Sequence, residues 1–197
     1  MNNTRHQTNQ EESSILKNMA NKFSKNFCED KSNVFDCLNK RFTLASADLE
    51  AIDTEDDVKL SYWKFQFKNN LLNIIKDANV KSFNMFGEDL LNSELYKIAS
   101  VKDAHIEKPV YMKSQIKRIK NSLKVLAKAC NQISKGFSEL SKVKFTVEVS
   151  QEIGIVLNYF RKAEELLKAE QVSLVYVVDT SSLHDLIDSF ENLSLKS

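Results

Sequence analysis

Ten lysines or arginines and a single acid, Glu139, fall between Lys108 and Lys144, so that segment carries +9 in a chain of 197 residues whose net charge is +1. Amines and guanidinium groups in such a run can bind anions, whether carboxylates, phosphates or a charged surface. The bases Lys113, Lys117, Arg118, Lys120, Lys124 and Lys128 are the candidate binding residues. Catalysis asks for a different pattern. The three histidines His6, His105 and His184 are dispersed, and no Walker loop, dinucleotide-binding glycine pattern, HExxH or GxSxG occurs.

His105-Ile106-Glu107 has the H-x-E form that opens a deaminase zinc motif, but no Pro-Cys-x-x-Cys follows it. The acid-rich stretch Asp48 to Asp57 lacks the glycine and the spaced final glutamate of a calcium loop. Cys28, Cys37 and Cys130 are odd in number and have no metal-ligand spacing, which predicts buried free thiols. The expectation is a protein that acts by binding and not as an enzyme, with no cofactor and no metal.

The bases are carried by an apolar seam. Met112, Ile116, Ile119, Leu123, Leu126, Cys130, Ile133, Phe137 and Leu140 recur at alternating steps of four and three. That 3.5-residue mean spacing keeps one stripe of a helix against a partner along its length. With Ile116 at position a, the g positions are Gln115, Ser122, Ala129 and Gly136, small enough for a neighbouring helix to approach closely. The lysines lie on the other flank. Pro109 suits an early helical position, so the helix is expected to begin there.

A second seam, Val149, Ile153, Val156, Phe160, Ala163 and Leu167, follows after a short break and predicts an antiparallel neighbour. Ahead of the basic helix, Ile15 to Ile52 reads as one long amphipathic helix. Leu60, Trp63, Phe67, Leu71 and Ile74 form another, and Leu90 to Val101 a shorter one. Asp179 to Ser182 supplies a start for a final helix over Leu183 to Leu193. Only three glycines and one proline interrupt the chain. The fold expected is all-α, a bundle of four to six amphipathic helices with coiled-coil-like packing, forming one domain over residues 13–197 behind a disordered polar tail at 1–12. The alternative is an α+β fold with a two-stranded element near 144–149 and 172–178, where valines alternate.

Neither a run of apolar residues long enough to cross a membrane nor an apolar signal core is present, which predicts a cytoplasmic protein. A long helix bearing a basic face, behind an amphipathic N-terminal segment, resembles in its architecture the BAR-type membrane-curving dimers. That resemblance implies a homo-oligomer engaging anionic lipid. The pattern by itself points to an adaptor or scaffold subunit whose partner is another protein or a second copy of the chain. Nucleic acid fits less well, because the bases are interleaved with the heptads instead of preceding them and the net charge is near zero.

Overall fold

The structure is a computed structural model that describes residues 2–51, 109–146, 149–171 and 180–194. Five helices account for nearly all of these: α1 (Asn2–Lys22), α2 (Lys25–Ala51), α3 (Pro109–Leu140), α4 (Ser150–Gln171) and α5 (Ser181–Ser194). The fold is all-α, and among the described residues there is no strand. Residues 144–146, one end of the alternative two-stranded element, lie in the connection between α3 and α4. The expected helices around Trp63 and Leu91, and the ambiguous run Val172 to Val178, lie outside the described residues.

Contacts between helices show how the chain doubles back. Ser32 and Ser46 of α2 meet Ser134 and Lys120 of α3, so the two helices run antiparallel. Phe137 and Phe160 face each other across the short connection that reverses α3 into α4. Arg161 and Glu164 of α4 meet Glu191 and His184 of α5, which makes that pair antiparallel as well. α3 is therefore flanked by α2 on one side and α4 on the other.

This double flanking explains why α3 buries more than its seam. Leu123, Leu126, Cys130, Ile133, Phe137 and Leu140 are all buried, and so are Ser122, Ala129, Ser134 and Gly136 beside them. The small residues matter where α4 closes in, because a Cβ on Gly136 would stand 2.6 Å from the Phe160 ring. On the α2 side the serines are paired across the helices. Ser32 Oγ donates to the Ser134 carbonyl at 3.0 Å, and Ser134 Oγ donates back to the Ser32 carbonyl at 2.8 Å. Hydroxyls that would bend a helix by bonding to their own turn instead join two helices.

The core is organised on phenylalanines. Phe137, Phe160, Phe190, Phe23 and Phe27 form a closed circuit with successive centroid distances of 5.2, 6.5, 5.2, 6.3 and 6.3 Å. Phe35 stacks on Phe137 at 6.2 Å from outside the circuit. Rings at these separations add about 0.5–1.5 kcal/mol per pair beyond the area they bury. α2, α3, α4 and α5 each contribute a ring, and Phe23 comes from the junction that precedes α2.

The N-terminal region departs from expectation in two ways. The single long helix is broken after Lys22: Phe23 N–H closes the last turn of α1 on the Met19 carbonyl, and Ser24 Oγ accepts from Phe27 N–H at 3.3 Å to begin α2. A serine cap contributes about 1 kcal/mol, and the break lets Phe23 turn into the core. The spacing of Val34, Leu38, Phe42 and Ala45 predicts their stripe as the buried face of α2; Leu38 and Phe42 are buried, but the face is rotated so that Phe35 is fully buried and Val34 only partly so. That rotation leaves Cys37 exposed, whereas Cys28 and Cys130 are buried. α1 itself begins at Asn2. Once Leu16, Met19 and Phe23 are anchored, each further residue extends an existing helix without a new nucleation cost.

Candidate binding face

α3 offers one surface that its neighbours do not cover. Of its described side chains, those exposed are Lys117, Arg118, Asn121, Lys124, Lys128 and Lys135, with no apolar residue among them. At 3.6 residues per turn, Lys117, Lys124, Lys128 and Lys135 lie within an arc of roughly 40° and rise over about 27 Å along the axis. They form a straight row of amines. Arg118 stands to one side of it, and the Lys113 side chain lies outside the described residues.

Lys120 and Lys124 share an internal partner on α2. Glu50, near the end of α2, places Oε1 3.1 Å from Lys120 Nζ and Oε2 3.6 Å from Lys124 Nζ. One turn earlier on α2, Ser46 Oγ donates to the Lys120 carbonyl at 3.3 Å, so the same stretch of α3 is held by side chain and backbone together. Lys120 is correspondingly half-buried at the edge of the row. No carboxylate among the described residues is in ion-pair range of Lys117, Lys128 or Lys135. Lys135 belongs to the row but not to the predicted set; its spacing of seven residues from Lys128 was the available signal.

The Lys120 hydrogen bond, reinforced by the charges of Lys120 and Lys124, holds the Glu50 carboxyl below its ordinary value. A carboxyl lowered in the folded state stabilises the fold above its unfolded pKa and loses that contribution as the pH falls through the lowered value. Glu50→Gln should therefore shift the urea midpoint slightly downward near neutrality, and the difference from wild type should shrink as the pH falls through the lowered carboxyl value. A difference that persists in acid would mean that Glu50 acts through packing and not through charge.

The other polar clusters fasten helices together. Glu164 accepts Lys168 at 3.0 Å and lies 2.9 Å from His184 Nδ1, while Nε2 of the same ring faces Asp188 at 3.5 Å. Arg161 directs Nε and Nη2 at one oxygen of Glu191, at 3.1 and 2.7 Å. Both clusters join α4 to α5. Burial pushes the Cys28 thiol up to about 12 and raises that of Cys130 as well. Neither is a thiolate near neutrality, so neither has the form in which cysteine attacks or binds metal. Among the described residues no group of three or more His, Cys, Asp or Glu is arranged to hold a metal ion, and no helix is long and apolar enough to cross a membrane. An open groove of about 670 Å³ between α1 and the α3–α4 connection is lined by Leu16, Lys17, Ala20 and Phe145.

Comparison with protein-family models, with curated proteins and with solved structures finds no match for the chain.

Proposed function

We propose that the chain is a non-catalytic adaptor or scaffold subunit that holds an acidic protein partner on the exposed face of α3. The observation that carries this reading is the row Lys117, Lys124, Lys128 and Lys135, presented outward by a helix whose apolar residues from Leu123 to Leu140 are buried on the side facing α2 and α4. A helix that lies on a membrane couples its basic residues to an apolar face that enters the lipid. Among the described residues of α3, no exposed apolar face is left. Charge alone would contribute about 1 kcal/mol per lysine at an anionic bilayer, so the row of four would give a dissociation constant of about 1 mM. A protein surface can add shape and hydrogen bonding to the same charges.

The test compares the wild type with a Lys117→Glu, Lys128→Glu, Lys135→Glu variant as immobilised bait in cell lysate. Proteins retained by the wild type at low salt should be absent from the variant and should elute at about 1 M salt, where the screening length is about 3 Å. An unchanged set of retained proteins would remove the basic face from the reading. Wild type that instead sediments with phosphatidylserine vesicles, while the variant does not, would move the assignment to a membrane surface.

A further inference from the structure

We propose that the partner presents a single acidic α-helix, laid alongside α3, with carboxylates repeating at steps of seven, four and seven residues; this rests on the adaptor reading above. The spacing of the amines matches a helix. Lys117, Lys124, Lys128 and Lys135 are separated by seven, four and seven residues, or about 10.5, 6 and 10.5 Å along the helix axis. A second helix rises by the same increment per residue, so carboxylates at the same steps meet every lysine and stay on one face. An extended segment does not match. Its residues advance by about 3.3 Å and alternate faces, so a 10.5 Å gap takes about three residues and puts the next carboxylate on the wrong side.

The series of steps reads the same in both directions. A helix running either way along α3 therefore satisfies the row, and charge alone leaves its polarity open. The molecule already contains one instance of the contact. Glu50 arrives on a helix antiparallel to α3 and spreads its two oxygens over the i,i+4 pair Lys120 and Lys124. The incoming carboxylate at Lys124 would share that amine with Glu50, and the carboxylates at Lys117, Lys128 and Lys135 would each meet an amine that no described carboxylate reaches.

The experiment is a fluorescence anisotropy titration of the full chain with two labelled, alanine-rich helical peptides of identical composition. One carries glutamates at steps of seven, four and seven; the other carries them at even steps of five, which winds them around the helix. The expected result is binding of the first peptide about tenfold tighter than the second. The preference should disappear in the Lys117→Glu, Lys128→Glu, Lys135→Glu variant, whose folding is checked by circular dichroism. Equal binding of both peptides, lost in the variant, overturns the helical register and leaves the adaptor reading standing. Sedimentation with phosphatidylserine vesicles and no binding of either peptide overturns both readings. No binding of peptides or vesicles by the folded wild type overturns the acidic-helix partner.

Discussion

Phe137→Ala is expected to destabilise the bundle by about 3–5 kcal/mol, the range for truncating a buried phenylalanine. Phe137 is 1% exposed and touches the rings of Phe27, Phe35 and Phe160 at 6.3, 6.2 and 5.2 Å. Its removal opens the aromatic circuit at α3, the helix on which both α2 and α4 pack. Because a domain of this kind holds only about 5–15 kcal/mol in total, the change should move the urea midpoint far toward zero. Phe137→Leu retains part of the volume and should fall between the two, which keeps the comparison available if the alanine variant does not fold. A loss below about 1 kcal/mol for alanine would contradict the central position of this ring.

Gly136→Ala should destabilise as well, against the ordinary preference of helices. In an exposed helix interior alanine is favoured over glycine by about 1 kcal/mol. At Gly136 the new Cβ would stand 2.6 Å from Phe160 Cε1 and 2.9 Å from Cδ1 and Cζ. Phe160 is fully buried between Phe137 and Phe190, so its ring cannot yield without moving theirs. Overpacking of this kind costs about 1–3 kcal/mol, which outweighs the propensity gain. Gly154, on the exposed side of α4, meets nothing within 4 Å, and Gly154→Ala should stabilise by up to about 1 kcal/mol. The two substitutions are chemically identical and should have opposite signs in the same denaturation assay. Adding Phe160→Leu to Gly136→Ala should cost less than the sum of the single changes, since the smaller side chain relieves the clash. Strict additivity would mean that the two residues do not share the site.

The basic face connects these energetic arguments to binding. Gly136 and the serines let α2 and α4 approach α3 closely, and that packing holds straight the helix whose periodicity sets the lysines in a row. Loosening the core at Phe137 should therefore weaken partner binding along with stability, whereas charge reversal at Lys128 should weaken binding alone.

Much of the architecture was legible in the residues. The seam from Leu123 to Leu140 and the one from Val149 to Leu167 are buried as their spacing requires, and α3 begins at Pro109. The final helix starts where its threonine and serines suggest, with His184 N–H bonded to the Thr180 carbonyl. The break at Ser24 was not legible, because Phe23 also continues the apolar stripe of an unbroken helix. Only its docking against Phe190 and Phe145 makes the turn worthwhile. The exposure of Cys37 and the burial of Phe35 follow from the same rotation of α2.

The sequence by itself determined that this chain builds amphipathic helices and that one of them concentrates the positive charge. Such periodicities are properties of a single helix, set by 3.6 residues per turn, and they need no neighbour. The tertiary structure alone decided which lysines face outward and which have a partner. Lys117 and Lys120 are equivalent as entries in a basic run, yet Lys117 stands in the open row and Lys120 is drawn to Glu50 from a helix seventy positions away. The physical reason is that the burial and pairing of a charge depend on the surfaces that flank its helix, and α2 and α4 come to flank α3 only when the chain has folded.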